Sequence, residues 1–388
     1  GAFRVGVSKT LVNRALAEVA GIEPAVMAHR LMGVWQPRAN YYAALFDPKT
    51  ESDDPARPYP FCLAYPLEEE ESEHLEVKLG SPEDWQIEWK WDGIRAQLIK
   101  RGSLVILWSR GEEMVSDQFP EIVSETVSIS EDVVLDGEVL VWDFDNERPA
   151  AFSQLQRRLG RKQVGPKLQK EAPAIFMVYD LLEYNGEDLR GRPTAERRAL
   201  LESLDFGQSS AFQKSPLIQA SSWQAVSAVR EESRERSVEG LMLKKSTSAY
   251  AAGRKKGEWW KWKVDPFTVD AVMVYAQQGH GRRAGLYTDY TFSVWDGELL
   301  VPFAKAYSGL SDAEIRRVDR WIRSHTQEKH GPVRVVEPQL VFEIAFEGIS
   351  ESKRHKSGIA VRFPRIHRWR EDKPASEADN LETVRSLL

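Results

Sequence analysis

The stretch Gln86-Ile87-Glu88-Trp89-Lys90-Trp91-Asp92-Gly93 alternates polar and apolar side chains. Such period-two alternation predicts a β-strand. The apolar residues then share one face, which needs burial in a core: Ile87, Trp89 and Trp91. The polar residues share the other face, which is expected to line a cleft: Gln86, Glu88, Lys90 and Asp92. The stretch therefore predicts a half-buried strand that brings two carboxylates and one amine to a candidate site.

Lys90 is the candidate nucleophile of this stretch. Only the neutral amine of a lysine attacks, so a nucleophilic lysine needs desolvation, nearby cations or a bound metal to favour that form. Glu88 and Asp92 act in the opposite direction, because carboxylates favour the ammonium. The alternative is a surface strand with an ion pair. Lys-x-Asp-Gly alone does not separate the two interpretations, so the rest of the chain must decide.

Length and composition set the class of protein. The 388 residues suggest two or three domains, and 42% hydrophobic and 29% charged residues are ordinary for a globular protein. No apolar run reaches the roughly 18 residues of a membrane span, and no signal-peptide pattern is seen. The single cysteine, Cys62, excludes an internal disulfide and suits a reducing cytoplasm. Cysteine and histidine nowhere take zinc-ligand spacing.

Charge is distributed unevenly along the chain. The net charge of −6 argues only weakly against nucleic acid as a partner, because the acid is concentrated at 51–54 and 68–73. From Lys353 to Arg370 there are seven Lys or Arg residues and no acid. This basic run, with Phe363 and Trp369, suits contact with a nucleic-acid backbone. The alternative is a solvated charged tail.

Hydrophobic periodicity divides the chain into three parts. Two short helices are expected first, one capped by Ser8 and ended by Gly21, the other from Pro24 to about Leu31. The proline- and acid-rich stretch 36–65 is typical of a linker. Strand patterns then alternate with fewer helices up to Val264, and buried strands are predicted over 133–142 and 174–182.

Pro266 marks the next boundary. Strands are predicted after it at 269–276, 287–295, 299–305 and 339–346. Ser311 and Glu314 form a capping box for a helix that is expected to run to about His330. Several strands with one helix in this length suit a small barrel of the oligonucleotide-binding (OB) kind.

Further polar segments lie on the predicted strands. Asp136-Gly137-Glu138 interrupts a buried strand at a desolvation cost. Tyr179-Asp180 ends the next buried strand, and Glu239-Gly240-Leu241-Met242-Leu243-Lys244 and Lys261-Trp262-Lys263 follow. In this order and spacing, together with Lys90-Trp91-Asp92-Gly93-Ile94-Arg95 and a final Arg370-Glu371-Asp372-Lys373, the segments resemble the motifs of bacterial ATP-dependent DNA ligases. The resemblance runs from about residue 59 to the end.

The resemblance implies an α+β protein. A mixed and antiparallel-sheet nucleotidyltransferase domain of the ATP-grasp-like adenylation kind would be followed by an OB-fold β-barrel. The implied boundaries are 59–264 for the adenylation domain and 265–388 for the OB-fold domain. Residues 1–58 would hold a linker and only the end of the family's N-terminal DNA-binding domain.

The resemblance also implies a reaction in three steps, with ATP and Mg²⁺ or Mn²⁺ as cofactors. Lys90 would take AMP from ATP, the AMP would pass to the 5′-phosphate of nicked duplex DNA, and the 3′-hydroxyl would displace it. Positioning and charge neutralisation around phosphates are what such transfers require. A cytoplasmic bacterial enzyme, monomeric and without a membrane partner, is expected to act in DNA repair, replication or recombination.

The resemblance assigns site roles residue by residue, with Lys90 as the nucleophile. Glu88 would contact adenine, Tyr179 would stack on it, and Met242 would pack on its other face. Core filling is the alternative for Tyr179 and Met242. Glu138 would contact ribose or metal, and Glu239 would bind metal. The remaining nucleotide and phosphate positions are Arg95, Arg110, Lys244, Lys255, Lys261 and Lys263. Asp92, Arg370, Asp372 and Lys373 complete the motifs.

Two positions depart from the pattern. Strict alternation places Glu239 and Lys244 on opposite faces of one strand, so both reach a cleft only if the strand is irregular, as at Gly240. Lys255 stands where relatives often have arginine, and a lysine cannot form a bidentate contact. The competing functions are an RNA ligase or mRNA-capping guanylyltransferase of the same superfamily, and a non-catalytic nick-binding module.

Overall fold

The computed structural model describes residues 7, 9–22, 24–31, 39–47, 56–67, 75–111 and 113–388. Two compact units divide the chain, Gly1–Val264 and Asp265–Leu388. The expected helix cap Ser8 and the acidic runs 51–54 and 68–73 lie outside the described residues. None of the helices in the described ranges combines the length and hydropathy that crossing a bilayer requires.

The helices of the described ranges are short, and most lie in the first unit. They are α1 (Lys9–Ala20), α2 (Pro24–Arg30), α3 (Ala39–Phe46), α4 (Leu75–Leu79), α5 (Pro120–Glu125), α6 (Phe152–Gln156), α7 (Pro166–Glu171), α8 (Thr194–Ser203), α9 (Trp223–Glu231), α10 (Asp312–Ser324) and α11 (Leu381–Arg385).

The strands of the first unit are β1 (Cys62–Leu63), β2 (Tyr65–Pro66), β3 (Trp85–Trp89), β4 (Ile94–Arg101), β5 (Leu104–Ser109), β6 (Val133–Asp143), β7 (Arg148–Pro149), β8 (Ala174–Tyr184), β9 (Glu187–Asp188), β10 (Phe212–Lys214), β11 (Gly240–Lys245), β12 (Gly253–Arg254) and β13 (Trp259–Lys263). Those of the second unit are β14 (Phe267–Gln278), β15 (Tyr287–Asp296), β16 (Leu299–Ala306), β17 (Thr326–His330), β18 (Val333–Val336), β19 (Val341–Phe346), β20 (Gly348–Glu351), β21 (Ile359–Arg362) and β22 (Arg365–Trp369).

The first three helices form a small cluster of their own. Ala17, Met27 and Leu45 are buried together. The Arg30 guanidinium donates to the carbonyl oxygen of Leu45 at 2.9 Å and so ties α2 to α3. Helix α3 lies inside the stretch 36–65 that the sequence predicts as a linker, because Ala39–Phe46 is locally apolar within a proline-rich neighbourhood.

Two main sheets, beside a two-stranded parallel sheet of β1 and β12, build the rest of the first unit. The larger has the order β10-β8-β6-β4-β5, with β7 on β6 and β9 on β8, and the smaller has the order β2-β13-β11-β3. One face of the larger sheet is covered by helices over a core that includes Leu98, Leu135 and Phe176. Its other face contributes Leu140, Trp142 and Met177 to a core shared with the smaller sheet.

The tryptophan face of the opening stretch is buried as predicted. Trp85, Ile87, Trp89 and Trp91 share one core with residues of β11 and β13. The strand itself ends earlier than expected, because β3 stops at Trp89. Lys90 keeps contact with β11 through its backbone, donating to the carbonyl oxygen of Gly240 at 2.7 Å and accepting from the amide of Glu239 at 2.8 Å.

The second unit is a curled antiparallel sheet. Its order is β16-β15-β14-β18-β17, with β19 on β14 and β22 on β19, and β20 pairs with β21. Strand β14 is long enough to pair with β19 through its first half and with β18 through its last residues. The core includes Phe292, Phe342 and Ile366.

Helix α10 begins as predicted and ends early. The Ser311 side chain accepts from the Glu314 amide, and the Glu314 side chain accepts from the Ser311 amide, so the capping box is present. The helix ends at Ser324 instead of about His330, and Thr326–His330 forms β17. The apolar stripe of the helix ends with Ile322, so the following residues gain more from pairing with β18.

Candidate active site

Strand register places the predicted residues of the smaller sheet in rows. Met242 on β11 is the cross-strand partner of both Glu88 on β3 and Lys261 on β13. Lys244 is likewise paired with Gln86 and Trp259. Directly paired residues share a face of a sheet. The polar side chains and Trp259 therefore lie on one face of the sheet. Ile87, Trp89, Trp260 and Trp262 lie on the other face, as the alternation along each strand predicts.

Lys90 lies at the end of this face against Glu239. Its ammonium donates to the Glu239 carboxylate, and both side chains are only 20% and 16% exposed. Lys263 Nζ lies 3.5 Å from the same carboxylate oxygen. Glu239 thus holds two lysines of two different motifs at one point. Lys90 and Glu239 are 149 residues apart in the sequence.

Two motif glycines allow this close approach of strands. A Cβ on Gly93 would lie 2.2 Å from the carbonyl oxygen of Val139. Gly240 has φ of +130°, and a Cβ there would lie 2.2 Å from the carbonyl oxygen of Trp262. Gly240 starts β11, so Glu239 lies before the regular strand. This irregularity resolves the conflict between Glu239 and Lys244, since strict alternation does not extend across the glycine.

The surroundings of the Glu138 carboxyl strongly raise its pKa. Burial raises its pKa to about 8, Lys90 and Arg95 oppose the shift, and Glu239 and Asp92 add to it. The four charged groups that act on Glu138 come from the opening stretch, β4 and the residue just before β11. Glu138 is thus a half-buried carboxyl beside both the candidate nucleophile and a second carboxylate.

Cations collect on the other side of Lys90. Burial, then Lys90, Lys263 and Arg254, lower the pKa of Lys261, and Glu239 opposes them. Within the described part of the chain, no carboxylate lies at ion-pair distance from the Lys261 ammonium. Mutually repelling cations beside few acids favour an anionic ligand such as a polyphosphate.

Glu88 and Lys244 form a buried ion pair. Each residue is 1% exposed, and Lys244 Nζ donates to Glu88 Oε1 at 2.9 Å. Gln86 donates to the same oxygen. The Lys244 ammonium lies 4.3 Å from the centre of the Tyr179 ring and 4.8 Å from that of Trp259. The expected adenine contact and the expected phosphate contact are therefore bonded to each other beneath Tyr179.

Arg95 is bonded on every side of its guanidinium. Nε and Nη2 donate to the Asp136 carboxylate at 3.1 and 2.6 Å, and Nη1 donates to the carbonyl oxygen of Cys62 at 2.5 Å. Tyr250 donates to Asp136 at 2.6 Å, and Asp136 is fully buried. Burial opposes the charge on Arg95, but Asp136 outweighs it and the pKa of Arg95 is raised. The Arg95 centre lies 5.9 Å from the Tyr179 ring, so this cluster flanks the site.

Arg110 and Lys255 stand apart from the buried residues. Arg110 is exposed in the turn after β5, where its amide donates to the carbonyl oxygen of Arg95 at 2.9 Å. Lys255 is 64% exposed and pairs with Glu258 at 2.6 Å. The structure gives neither side chain a contact with the Lys90 cluster.

The terminal motif is held within the second unit by Asp270. Arg370 Nη1 and Lys373 Nζ donate to Asp270 Oδ2 at 2.6 and 2.8 Å. Arg370 also donates through Nε and Nη2 to Asp372 at 3.0 and 2.8 Å. The sequence reasoning missed Asp270. The signal for it is weak, a lone acid in the strand Phe267–Gln278.

The two carboxylates suit a divalent cation whose remaining coordination positions are filled by a bound ligand. Glu138 and Glu239 are close enough to raise the pKa of Glu138. Among the described residues, no group of three His, Cys, Asp or Glu forms a self-sufficient metal site. Mg²⁺ is usually bound by one or two carboxylates together with substrate phosphates, so this donor set fits it.

Comparison with known proteins identifies the family. Residues 68–263 match the family model described as the ATP dependent DNA ligase domain, and residues 283–373 match the ATP dependent DNA ligase C terminal region. The chain is 37% identical, over its whole length, to a probable DNA ligase of Koribacter versatilis (strain Ellin345), and it covers 70% of that protein. The chain belongs to the ATP-dependent DNA ligases.

Other members of this ligase family differ in length and agree in fold. A probable DNA ligase of Opitutus terrae is 39% identical over 78% of the chain, which spans only 32% of that protein. A solved structure of a Lig E DNA ligase, 19% identical, is matched over all of its length and 81% of this chain with a TM-score of 0.54. The α+β fold of a nucleotidyltransferase domain followed by an OB-fold domain is therefore confirmed, and the chain belongs to a family of enzymes that depend on ATP.

Proposed function

We propose that this chain seals nicks in duplex DNA that carry a 5′-phosphate and a 3′-hydroxyl, through a covalent AMP on Lys90. The observation that carries the proposal is the cluster around Lys90, where one amine lies between the carboxylates Glu138 and Glu239 and the cations Lys261 and Lys263. Attack on a phosphate requires that the negative charge of the phosphate be neutralised and that the nucleophile be held in a fixed position. The lysines of this cluster can supply the positive charge, and the carboxylates can hold the amine.

In the first step, the Lys90 amine attacks the α-phosphorus of ATP. A nitrogen–phosphorus bond forms, the bond from that phosphorus to the bridging oxygen breaks, and pyrophosphate leaves with the electron pair while the amine loses a proton. Lys261 and Lys263 neutralise the phosphates. Glu239, which holds Lys90 in the structure, fixes the amine in place before the nucleotide binds.

The nucleotide base is placed beside Tyr179. The Lys244 ammonium and the Arg95 guanidinium lie 4.3 and 5.9 Å from the centre of the Tyr179 ring. We propose that the base stacks on Tyr179, that Met242 packs on its other face, and that Glu88 reads its polar edge. Arg95 acts as a positioning residue for Tyr179, because its own donors are bonded to Asp136 and the carbonyl oxygen of Cys62.

A divalent cation, Mg²⁺ or Mn²⁺, would be held by Glu138 and Glu239 with the phosphates. When bound, it supplies positive charge that neutralises the phosphate oxygens. The carboxyl of Glu138 has a raised pKa because it is buried beside Glu239, which is the environment that a cation relieves.

In the later steps, AMP passes from Lys90 to the 5′-phosphate of the nick, and the 3′-hydroxyl then forms the phosphodiester bond as AMP leaves. The basic run from Lys353 to Arg370 suits the DNA backbone. The terminal residues Arg370, Asp372 and Lys373 are assigned to the reaction with ATP. We expect a monomer that works in the cytoplasm on DNA repair, replication or recombination, in keeping with its single, unpaired cysteine.

The direct experiment is sealing of a fluorescent nicked duplex under single-turnover conditions, with protein in excess over DNA. The chain spans 70% of its Koribacter versatilis relative and 32% of its Opitutus terrae relative, and excess protein keeps the nicked DNA bound during the single turnover. We expect joined product on a denaturing gel with ATP and Mg²⁺, and none from a nick with a 5′-hydroxyl or from Lys90→Ala. Sealing only of RNA strands, labelling only by GTP, or no joining of a pre-adenylated nick would contradict the proposal.

A further inference from the structure

Tyr250 is a buried tyrosine to which the reaction steps above assign no role. It is 4% exposed and lies in the segment between β11 and β12. Its amide donates to the carbonyl oxygen of Arg190 at 2.8 Å, which fixes the backbone at this point. Burial, and then the charge of Asp136, raise the pKa of Tyr250 well above its ordinary value. The hydroxyl therefore keeps its proton and acts as a hydrogen-bond donor.

The Tyr250 hydroxyl joins both members of a buried ion pair. It donates to Asp136 Oδ2 at 2.6 Å and accepts from Arg95 Nη2 at 3.2 Å. Arg95 Nη2 in turn donates to the same Asp136 oxygen at 2.6 Å. The three groups form a closed triangle of hydrogen bonds, which fixes the orientation of the guanidinium more firmly than the ion pair alone.

The Tyr250 side chain also connects the two sides of the proposed base site. Its ring meets Trp259 edge-on, with the ring centres 5.8 Å apart. The Trp259 ring lies 4.8 Å from the Lys244 ammonium, and the Tyr179 ring lies 5.9 Å from the Arg95 guanidinium. Among the described residues, none of the groups proposed to act on the phosphates is bonded to Tyr250. Its contacts therefore lie at the base end of the site.

We propose that Tyr250 is a positioning residue for the base of ATP, acting through the Asp136–Arg95 pair that flanks Tyr179. The inference rests on the proposed stacking of the base on Tyr179. Without the hydroxyl, the guanidinium is held from one side fewer, and the ring beside it loses a fixed partner. Bound nucleotide then loses affinity, whereas the attack on the α-phosphorus, at the other end of the site, keeps its rate.

The first test is equilibrium binding of nucleotide, measured by calorimetry with Mg²⁺ on the whole chain carrying Lys90→Ala, with and without Tyr250→Phe. Phenylalanine keeps the ring and its contact with Trp259 and removes only the hydroxyl. We expect the affinity for ATP to fall about threefold or more, which is part of what one hydrogen bond to a charged group contributes. AMP carries the base without the leaving phosphates, so its affinity should fall by the same factor.

The second test separates positioning from a purely structural role, in single-turnover adenylation of the chain with Lys90 intact. Tyr250→Phe should raise the KM for ATP about threefold or more and leave the maximal rate within about twofold of the parent. Replacement of Tyr250 by 4-aminophenylalanine, which retains a donor, should restore the KM. Tyr290→Phe is the matched control. It removes a buried hydroxyl that donates to the carbonyl oxygen of Tyr287 at 2.7 Å in the second unit, and it should change neither quantity.

Asp136→Asn is a second variant of the same triangle, for use if Tyr250→Phe does not fold. It keeps the shape of the side chain and weakens its hold on Arg95, so ATP and AMP should again lose affinity equally. Undiminished ATP binding by the folded variants, a loss for ATP that AMP does not share, or no restoration by 4-aminophenylalanine would overturn the proposal. Binding of ATP that depends on Tyr250, in a chain that forms no adduct on Lys90, would refute the proposed function alone and support the role of Tyr250.

Discussion

Glu138→Gln is predicted to have a larger free energy of unfolding than the parent protein, by an amount that grows as the pH rises. Burial beside Glu239 and Asp92 raises the pKa of Glu138 from an ordinary value of 4.5 to about 8. Between these values the folded protein keeps a proton that the unfolded chain has released. The unfolding free energy therefore falls as pH rises across that window, since its slope follows the protons bound by the unfolded minus the folded state. Glutamine has no such proton to lose.

The magnitude follows from the size of the shift. Each unit of pKa difference corresponds to about 1.4 kcal/mol, so Glu138 costs up to about 5 kcal/mol of stability above pH 8 and almost nothing near pH 4.5. The free-energy difference between Glu138→Gln and the parent should thus grow by several kcal/mol across the window. This cost is expected of a carboxylate that is kept in place for its function.

The assay is urea unfolding of both proteins at several values from about pH 5 to about pH 8.5. Both proteins carry no AMP by intact mass and are kept in a chelator, so that neither nucleotide nor metal neutralises the carboxyl. The titrating groups that both proteins share contribute equally to the two unfolding free energies, so their contributions, including those of the second unit, cancel in the difference. Glu196→Gln, an exposed position on α8, is the control and should show no such trend. A difference that stays constant from pH 5 to 8.5 would refute the reasoning.

Three further changes test separate parts of the site. Gly93→Ala should prevent folding of the first unit or its reaction with ATP, because the new Cβ would lie 2.2 Å from a backbone oxygen. Gly285→Ala is the control, because a Cβ there would have no atom within 4 Å, and it should be normal in soluble yield and adenylation. Lys261→Ala should slow adenylation at least about tenfold, and Lys255→Ala much less, since only Lys261 lies in the Lys90 cluster; equal rates in a single-turnover assay would contradict this. Lys373→Ala should impair adenylation from ATP more than sealing of a pre-adenylated nick; equal loss in a folded protein would mean that the terminal motif binds DNA throughout.

The terminal motif cannot be removed without removing part of a core. A truncation after about Val361 would delete Ile366, Leu381 and Val384 from the core of the second unit. Such a truncation tests folding as much as chemistry. Lys373 is bonded through one contact to Asp270, and Arg370 remains to neutralise that carboxylate. The single substitution at Lys373 is therefore the cleaner change.

Alternation in the sequence was enough to place the polar face and the tryptophan face of the opening stretch. The sequence did not predict that β3, β11 and β13 pair; the structure shows that each contributes polar side chains to the same face. Lys90 lies just outside the strand, which ends at Trp89, and the chain then passes so close to β6 that a side chain on Gly93 would clash with it. The period of a pattern does not by itself show where a strand ends.

Other parts of the site depend on contacts across long stretches of chain. Tyr250 is bonded to Asp136 over 114 residues, and Glu88 to Lys244 over 156. Local propensity carries no signal for such pairs, because each partner is separately compatible with many neighbours. A family motif makes Arg95 a candidate site residue, but only the structure shows that its guanidinium is already bonded to Asp136 and to the backbone of Cys62.

The measurement that tests the account most directly is covalent labelling of Lys90. The chain is incubated with α-labelled ATP and Mg²⁺, denatured, and analysed by gel and by intact and peptide mass. We predict one AMP per chain, attached to the peptide that contains Lys90, and no label on Lys90→Ala or after addition of excess pyrophosphate. Label on another residue, equal labelling of Lys90→Ala, or labelling by GTP in place of ATP would contradict the central claim.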